Sequence, residues 1–475
     1  MEELIAAVIT LALYLLLGTI IAVISRKAGI RTTNDYYVAG YRLGGILAAI
    51  SYAATTYSAF MMVGLVGLTY KTGVGAFGFE ITYLLATIFL LSYVAPRIWK
   101  LARDRRWVSP AEMISDLYGL RPLALLVALM YLIALIPYAS AQLIAVGRMV
   151  EGMTGGLYWL GIVIGVVAAL IWTGLSGMWS LASADLYQGL WMILAAVGLV
   201  VWLILWGGPD LSRGMGSLAD SGLLGMSWSP LVFVSYSIPW MFFAITNPQV
   251  VQKIYTPKDE SALRRMVTLF TIFGLSYTVI VTIIGLASRA LTEAGRFPAV
   301  KIGDQVTPLL LSYAPLPLAV FVFTSIVAAA MTTMDAIVLT LSSTVSRDIY
   351  QRYMRGSDRR AINLGRISIL VLLMILSYVA YLKIGFIVDL SVLASALLIP
   401  LAPVTLVGWY AKDRLGRAGG YAAILSLLSG FAIGLYWAVL HGARKSLVTP
   451  ILGLPPTLFI LVVSTVIVIA PLVKR

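Results

Sequence analysis

Asp335 is the only charged residue between Leu316 and Leu341, and it follows the hydroxyl pair Thr332-Thr333. An acid inside an apolar run long enough to cross a bilayer is costly, and by default it marks an ion or substrate pathway. Small hydroxyls beside it offer the neutral oxygens that a hard cation accepts as ligands. Three roles stay open for Asp335: tuning an ion site, relaying a proton, or bonding a neighbouring helix. An ion-linked role is favoured, because a buried acid needs a partner. Asp185 follows Ser183 at the start of another apolar run. It reads either as an ion-site acid or as a first-turn acid that a helix dipole stabilises. Glu80 and Asp389 open two further runs, where an acid at headgroup level or at a helix start is the plainer reading.

The elements that must hold these residues are membrane spans. The chain is 60% hydrophobic and 11% charged, with a mean hydropathy of +0.95, which excludes an ordinary soluble domain. A net charge of +14 raises the question of nucleic acid, but the basic residues sit in short clusters between apolar runs. That pattern fits loops against an anionic leaflet, so the expected partner is a lipid bilayer and not nucleic acid. Without cysteine there are no disulfides, thiolate metal sites or cysteine nucleophiles, and the lone His441 excludes clustered-histidine metal sites. No grouping of catalytic side chains suggests an enzyme, and nothing requires a protein partner.

Apolar length and polar breaks predict about thirteen spans, near 4–24, 43–69, 77–98, 122–151, 157–174, 181–206, 228–252, 266–290, 311–345, 363–383, 386–411, 420–440 and 451–472. The first begins with Glu2 and Glu3 and has no cleavage signal, so it is a helix rather than a signal peptide. Alternate loops, beginning with 25–42 and ending at 474–475, hold 25 of the 34 basic residues, Lys253 among them. By the positive-inside rule the amino terminus lies outside a cell membrane and the carboxyl terminus in the cytoplasm. The dense runs Arg97–Arg106 and Arg347–Arg360 read as solvated loops, and segment 107–118 as an interfacial amphipathic turn or short helix.

Two spans carry signs of interruption. The second contains Ser51-Tyr52-Ala53-Ala54-Thr55-Thr56-Tyr57-Ser58 between glycines, and the seventh contains Pro239 and Asn247-Pro248-Gln249. Broken helices five spans apart point to an inverted-repeat transporter that holds solute and ion where the helices unwind. Merely kinked or closely packed helices are the alternative. The corresponding division is an accessory segment 1–42, repeats at 43–206 and 228–411 separated by an outer loop 207–227, and accessory spans in 412–475.

Four stretches carry a resemblance to the sodium:solute symporter family. They are Asp35-Tyr-Tyr-Val-Ala-Gly-Tyr-Arg-Leu-Gly44; Gly174-Leu-Ser-Gly-Met-Trp-Ser-Leu-Ala-Ser-Ala-Asp185 through Gln188; Asn247-Pro-Gln-Val-Val-Gln-Lys253; and Ala328-Ala-Ala-Met-Thr-Thr-Met-Asp335 with Arg347-Asp348-Ile-Tyr350. The resemblance implies an all-α membrane fold with a leucine-transporter-type core of two five-helix inverted repeats plus accessory helices. It implies sodium as the coupled ion, held by the carbonyls of Ala54, Tyr57 and Ala329 and the hydroxyls of Thr332 and Thr333. Threonine stands where serine is common in the family, and its hydroxyl still coordinates. Asp185 matches a functionally important acid and, with Asp335, is a candidate for a second ion site. Glu80 matches a position where sugar-transporting relatives contact substrate.

Between the broken helices, Trp240, Gln142, Met61, Phe243, Thr56 and Glu80 are the candidate contacts for a small organic solute, against a packing role for each. Loss of the sugar-binding asparagine and gating tyrosine, which align with Trp240 and Phe243, argues against sugar. The resemblance is nearest to proline-, pantothenate- and monocarboxylate-type members. The implied function is sodium-coupled symport of an amino acid such as proline, or of a carboxylate. Alternatives are a proton-coupled carrier of the same fold, a sodium/sugar symporter, or a non-transport membrane sensor.

Overall fold

A computed structural model of the chain describes residues 2–25, 27 and 29–473. Arg26 and the terminal pair Lys474-Arg475, counted above among the basic loop residues, lie outside the described residues. The described chain is almost wholly helical, because lipid offers backbone groups no partners outside the helix. Eight helices are long and apolar enough to cross a membrane, and two bent pairs, Gly45–Thr56 with Phe60–Thr72 and Ile387–Leu397 with Leu401–Tyr410, join them. Three shorter apolar helices, Ile9–Ser25, Pro230–Met241 and Pro456–Leu472, occupy the other expected runs. Leu13, Leu16, Phe89, Leu205, Met374 and Val439 stand exposed on the bundle's flank, as side chains facing hydrocarbon do.

The two expected interruptions occur, slightly displaced from where composition places them. The helix Gly45–Thr56 runs through Ser51, Thr55 and Thr56, and the axis turns by 44° before the chain resumes helical form at Phe60. Tyr57 leaves helical geometry, and Ser58 Oγ accepts the Phe60 N–H at 3.1 Å, capping the new start. In the seventh span Pro239 lies inside a helix, and the chain breaks instead at Phe242 and at extended Asn247. Asn247 is extended because the ring of Pro248 disfavours helical geometry before it. The bend of 41° between Leu397 and Leu401, around Pro400, was not expected from the sequence. The helix from Met178 also continues past the expected span end, turning at Gly208 (φ 48°) and reaching Asp220 within the segment read as a loop.

The loops of the basic set meet on one face of the bundle. Trp99 Nε1 donates to the Pro257 carbonyl at 2.8 Å, Ser109 Oγ to Asp348 at 2.6 Å, and Arg347 pairs with Glu112 at 3.4 Å. Segment 107–118 contains the short helix expected there, packed against protein. It forms a Ser109-capped helix, Pro110–Tyr118, whose Met113, Ile114 and Leu117 are buried against protein, with Trp107 buried just before it.

On the opposite face the segment 302–311 ties two broken spans together. Gly67 and Gly303 approach so closely that a Cβ on Gly67 would lie 2.3 Å from the Gly303 carbonyl oxygen. The Thr307 hydroxyl donates to the Met62 carbonyl, and Asp304 accepts the Ile387 N–H at 3.1 Å. Burial, with nearby Asp389 adding to it, pushes the Asp304 carboxyl up to about 6. A raised carboxyl favours its neutral form, so its stabilising contribution is complete below about pH 4 and gone above about pH 6. Asp304→Asn should therefore raise the unfolding temperature at pH 7.5, and the gain should shrink as pH falls toward 4. A gain that stays constant over that range in thermal unfolding would refute the assignment.

Candidate functional site

The break at Tyr57 leaves the carbonyls at the end of the first half-helix without continuing helical partners. The helix Leu316–Ser343 supplies what they need. Thr332 Oγ1 donates to the Ala54 carbonyl at 2.8 Å and to its own Ala329 carbonyl at 3.0 Å. Thr333 Oγ1 donates to the Thr55 carbonyl at 2.8 Å, and Thr55 Oγ1 reaches the Thr332 carbonyl at 3.5 Å. Consecutive threonines point about 100° apart on a helix, so together they straddle the neighbouring chain end. Two buried sets of oxygens thus lie side by side: the Ala54 and Ala329 carbonyls about the Thr332 hydroxyl, and the Thr55 carbonyl at the Thr333 hydroxyl. Tyr57 caps the half-helix, but the carbonyl that Thr333 meets is that of Thr55, which the sequence reading had not named.

The acids are deeper than expected. Asp185 is not in a first turn, since its helix begins at Met178. Its Oδ2 accepts from Ser51 Oγ at 2.6 Å and from Lys253 Nζ at 2.7 Å. Lys253 also donates to the Ser51 carbonyl at 2.9 Å, and both charged side chains are essentially inaccessible. Lys253 is therefore no loop charge. It joins the first broken helix, the helix after Gly177 and the restarted segment Pro248–Ile254. The signal available in the sequence was its setting, between Val250-Val251 and Ile254-Tyr255 with no other charge before Lys258. Asp335 lies close enough to Asp185 and Lys253 for electrostatic contact, and near Tyr14 and Tyr187. Its Oδ1 is buried without a hydrogen-bond partner.

Glu80 does not face the surroundings of the bundle. It is wholly buried in the helix Gly75–Tyr93, and neither carboxylate oxygen has a protein partner. Tyr57, Tyr83 and Tyr138 lie within electrostatic reach of it; the Tyr83 hydroxyl is buried without a partner, while Thr278 and Ser58 lie near those of Tyr57 and Tyr138. Trp240 stacks on Phe243 at 5.3 Å between ring centres and meets Tyr83 edge-on at 5.1 Å and Phe60 at 4.8 Å. The indole Nε1 of Trp240 and the Gln142 side-chain oxygen also lack partners. Gln142 Nε2 donates to the Tyr138 carbonyl at 3.3 Å, which sets it beside that tyrosine. Met61 is buried just beyond the first break. Thr56 Oγ1 bonds back to the Tyr52 carbonyl at 2.7 Å, so its hydroxyl serves its own helix. Asp389 accepts from the Tyr236 hydroxyl at 2.8 Å, joining two broken spans as well as sitting at a helix start.

The model of the sodium:solute symporter family matches residues 36–430. The chain belongs to that family. Sodium-coupled solute symport is accordingly its activity, and sodium its coupled ion. Among curated relatives, this symporter is 23% identical over 452 residues to a sodium/proline symporter of Staphylococcus aureus (strain JH9), covering 90% of its own chain and 85% of the relative. In shape it is similar to a sodium-coupled sialic acid symporter solved in a substrate-bound outward-open state. The TM-score is 0.80 with 18% identity, over 98% of this chain and 96% of that one. A nucleobase-cation-symport-1 family transporter in a closed conformation matches with a TM-score of 0.58 and 14% identity, over 94% and 95% of the two chains. The fold is thus the leucine-transporter type that the resemblance implied.

Removing one member of a buried ion pair leaves an uncompensated charge and costs about 3–5 kcal/mol, whereas replacing both by apolar side chains is often near neutral. Lys253→Met should lower the unfolding temperature of the symporter sharply, and Lys253→Met with Asp185→Leu should recover most of the loss. Thermal unfolding in detergent checks this, and an unperturbed single variant would show that the pair carries no such stress.

Proposed function

We propose that this symporter binds sodium at the carbonyls of Ala54, Tyr57 and Ala329 and the hydroxyls of Thr332 and Thr333, with the Thr55 carbonyl as an added ligand. The solute then binds next to that ion, in the gap lined by Trp240, Phe243, Met61, Gln142 and Glu80. The observation that carries the reading is the pair of 2.8 Å contacts between the threonine hydroxyls and the carbonyls of the broken helix. Neutral oxygens in that number suit a hard monovalent cation without a carboxylate cage.

Sodium held there ties the end of the first half-helix to the hydroxyl helix. Tyr57, at that same end, also presents its ring to the solute gap. Ion binding is therefore felt where the solute sits, and by linkage each must raise the other's affinity equally. Rocking of one repeat against the other exposes the pair to the far side. One positive charge moving inward contributes about 2.3 kcal/mol per 100 mV of membrane potential. The basic face is cytoplasmic and the membrane is the cell membrane, on a positive-inside bias of 24 among 34 basic residues once buried Lys253 is set aside. Similarity to a sodium/proline symporter supports import of a small amino acid such as proline, with a carboxylate as the neighbouring class.

Uptake into proteoliposomes should follow an inward sodium gradient and disappear when choline replaces sodium. In Thr332→Ala/Thr333→Ala the sodium concentration for half-maximal uptake should rise at least roughly tenfold, the equivalent of one lost ligand interaction. An unchanged sodium dependence in that variant removes the proposed ion site.

A further inference from the structure

The face opposite the basic loops is poor in basic residues, yet Arg148 and Lys301 both line one cavity there, and Lys383 reaches its edge. The cavity has a volume of about 560 Å³ and lies between the end of the helix Pro122–Thr154 and the chain from Ala299 to Ser312. One carboxylate, Glu151, serves two of the three cations, Arg148 at 2.8 Å and Lys383 at 3.0 Å. Asp304 is within electrostatic reach of Arg148, but its carboxylate accepts the Ile387 N–H. Exposed Lys301 has no acidic partner among the described residues. Positive charge therefore exceeds negative charge at the cavity, which favours an anion there. A second recess of about 120 Å³ adjoins it, sharing Gly152, Pro308 and Ser312 as walls and adding apolar Met149, Leu311 and Leu316. Apolar cavities of roughly that size hold a body on the scale of benzene.

We propose that this cavity is a second binding site, separate from the broken-helix gap, for a water-soluble organic anion. The anionic group meets Lys301 and Arg148, and a small apolar body fills the recess beside Gly152 and Pro308. A neutral molecule gains nothing from Lys301, and a cation is repelled, so charge sets the ligand class. The charged wall at 299–305 belongs to the connection between the spans that end at Glu293 and begin at Leu316. The ligand therefore arrives from the aqueous side and not from the bilayer. That wall is tied to both broken spans. Lys71, on the restarted half of the first one, donates to the Val300 carbonyl, while Thr307 and Asp304 bond Met62 and Ile387. A ligand touching Arg148 and Lys301 together pins this connection to the unbroken helix Pro122–Thr154, so its occupancy restrains segment 302–311.

The test uses the full-length protein in detergent at low ionic strength, where exposed charges are least screened. Benzoate is titrated while the unfolding temperature is followed, beside benzyl alcohol (the ring without charge), benzylamine (the opposite charge), acetate (the charge without a ring) and a short-chain phosphatidylglycerol. Benzoate should stabilise the protein, and the other four should bind at least roughly tenfold more weakly. Lys301→Glu should weaken benzoate at least roughly tenfold. Gly152→Leu should do the same by filling the seam, since even a Cβ there would lie 3.3 Å from Pro308. Amide hydrogen exchange read by mass spectrometry should slow across 299–311 when benzoate is added to the native protein, and not in Lys301→Glu. Equal stabilisation by benzyl alcohol, a response to phosphatidylglycerol alone, or unchanged benzoate affinity in Lys301→Glu overturns the proposal. So does benzoate protection confined to the chain around Trp240, which would put the anion in the solute gap. Should Gly152→Leu not fold, Lys301→Glu, at an exposed side chain, still decides.

Discussion

The structure depends on one contact: two threonine hydroxyls on an intact helix meeting carbonyls at the end of a broken one. Inside lipid, a helix can stop only where something else satisfies the groups it leaves open. Thr332 and Thr333 do that for Ala54 and Thr55, while Ser58 caps the restart. In the proposed reading the oxygens that make the break tolerable also receive the sodium ion, so one set of atoms meets the structural need and binds the ion.

Around that contact the buried charges are arranged in two regimes. Lys253 and Asp185 compensate one another, with Ser51 bonded to both, and hold three segments of the core together on the side toward the basic face. Glu80 is left without a counter-charge in the aromatic region, and Asp335 has one oxygen unpartnered. Compensated pairs keep their charges inside the fold, whereas a buried acid without a counter-charge favours its neutral form unless a cation joins it.

The aromatic cluster makes the second coupling. Tyr57 ends the half-helix beside the ion ligands, and its ring packs on Phe270, Phe273 and Tyr277 as well as Tyr83. A Cβ on Gly274 would come within 2.3 Å of the Tyr57 hydroxyl, so only glycine leaves room for that ring. Through Tyr83 the Tyr57 ring is linked by edge-on contacts to Trp240 and Phe243, the residues proposed to meet the solute. On the opposite face, segment 302–311 holds two broken spans at once through Met62 and Ile387, so neither is free to move without the other.

Apolar run length alone determined the class of protein, the approximate spans and the grouping of basic loops, because lipid imposes those lengths on any chain that crosses it. The hydroxyl stretch near residue 55 and Asn247-Pro248 likewise pointed to interrupted spans, since a break is costly inside lipid. Composition could not reveal that Lys253 is buried, since a lysine beside a loop looks the same whether it faces water or Asp185. Nor could it reveal that Glu80 is wholly buried in protein, or that the Thr333 hydroxyl meets the Thr55 carbonyl. Such facts concern which atoms meet across helices more than 130 residues apart in sequence, as Ser51 and Asp185 are. Local pattern fixes which residues lie in the membrane, while the partner of a buried charge is decided only by tertiary packing.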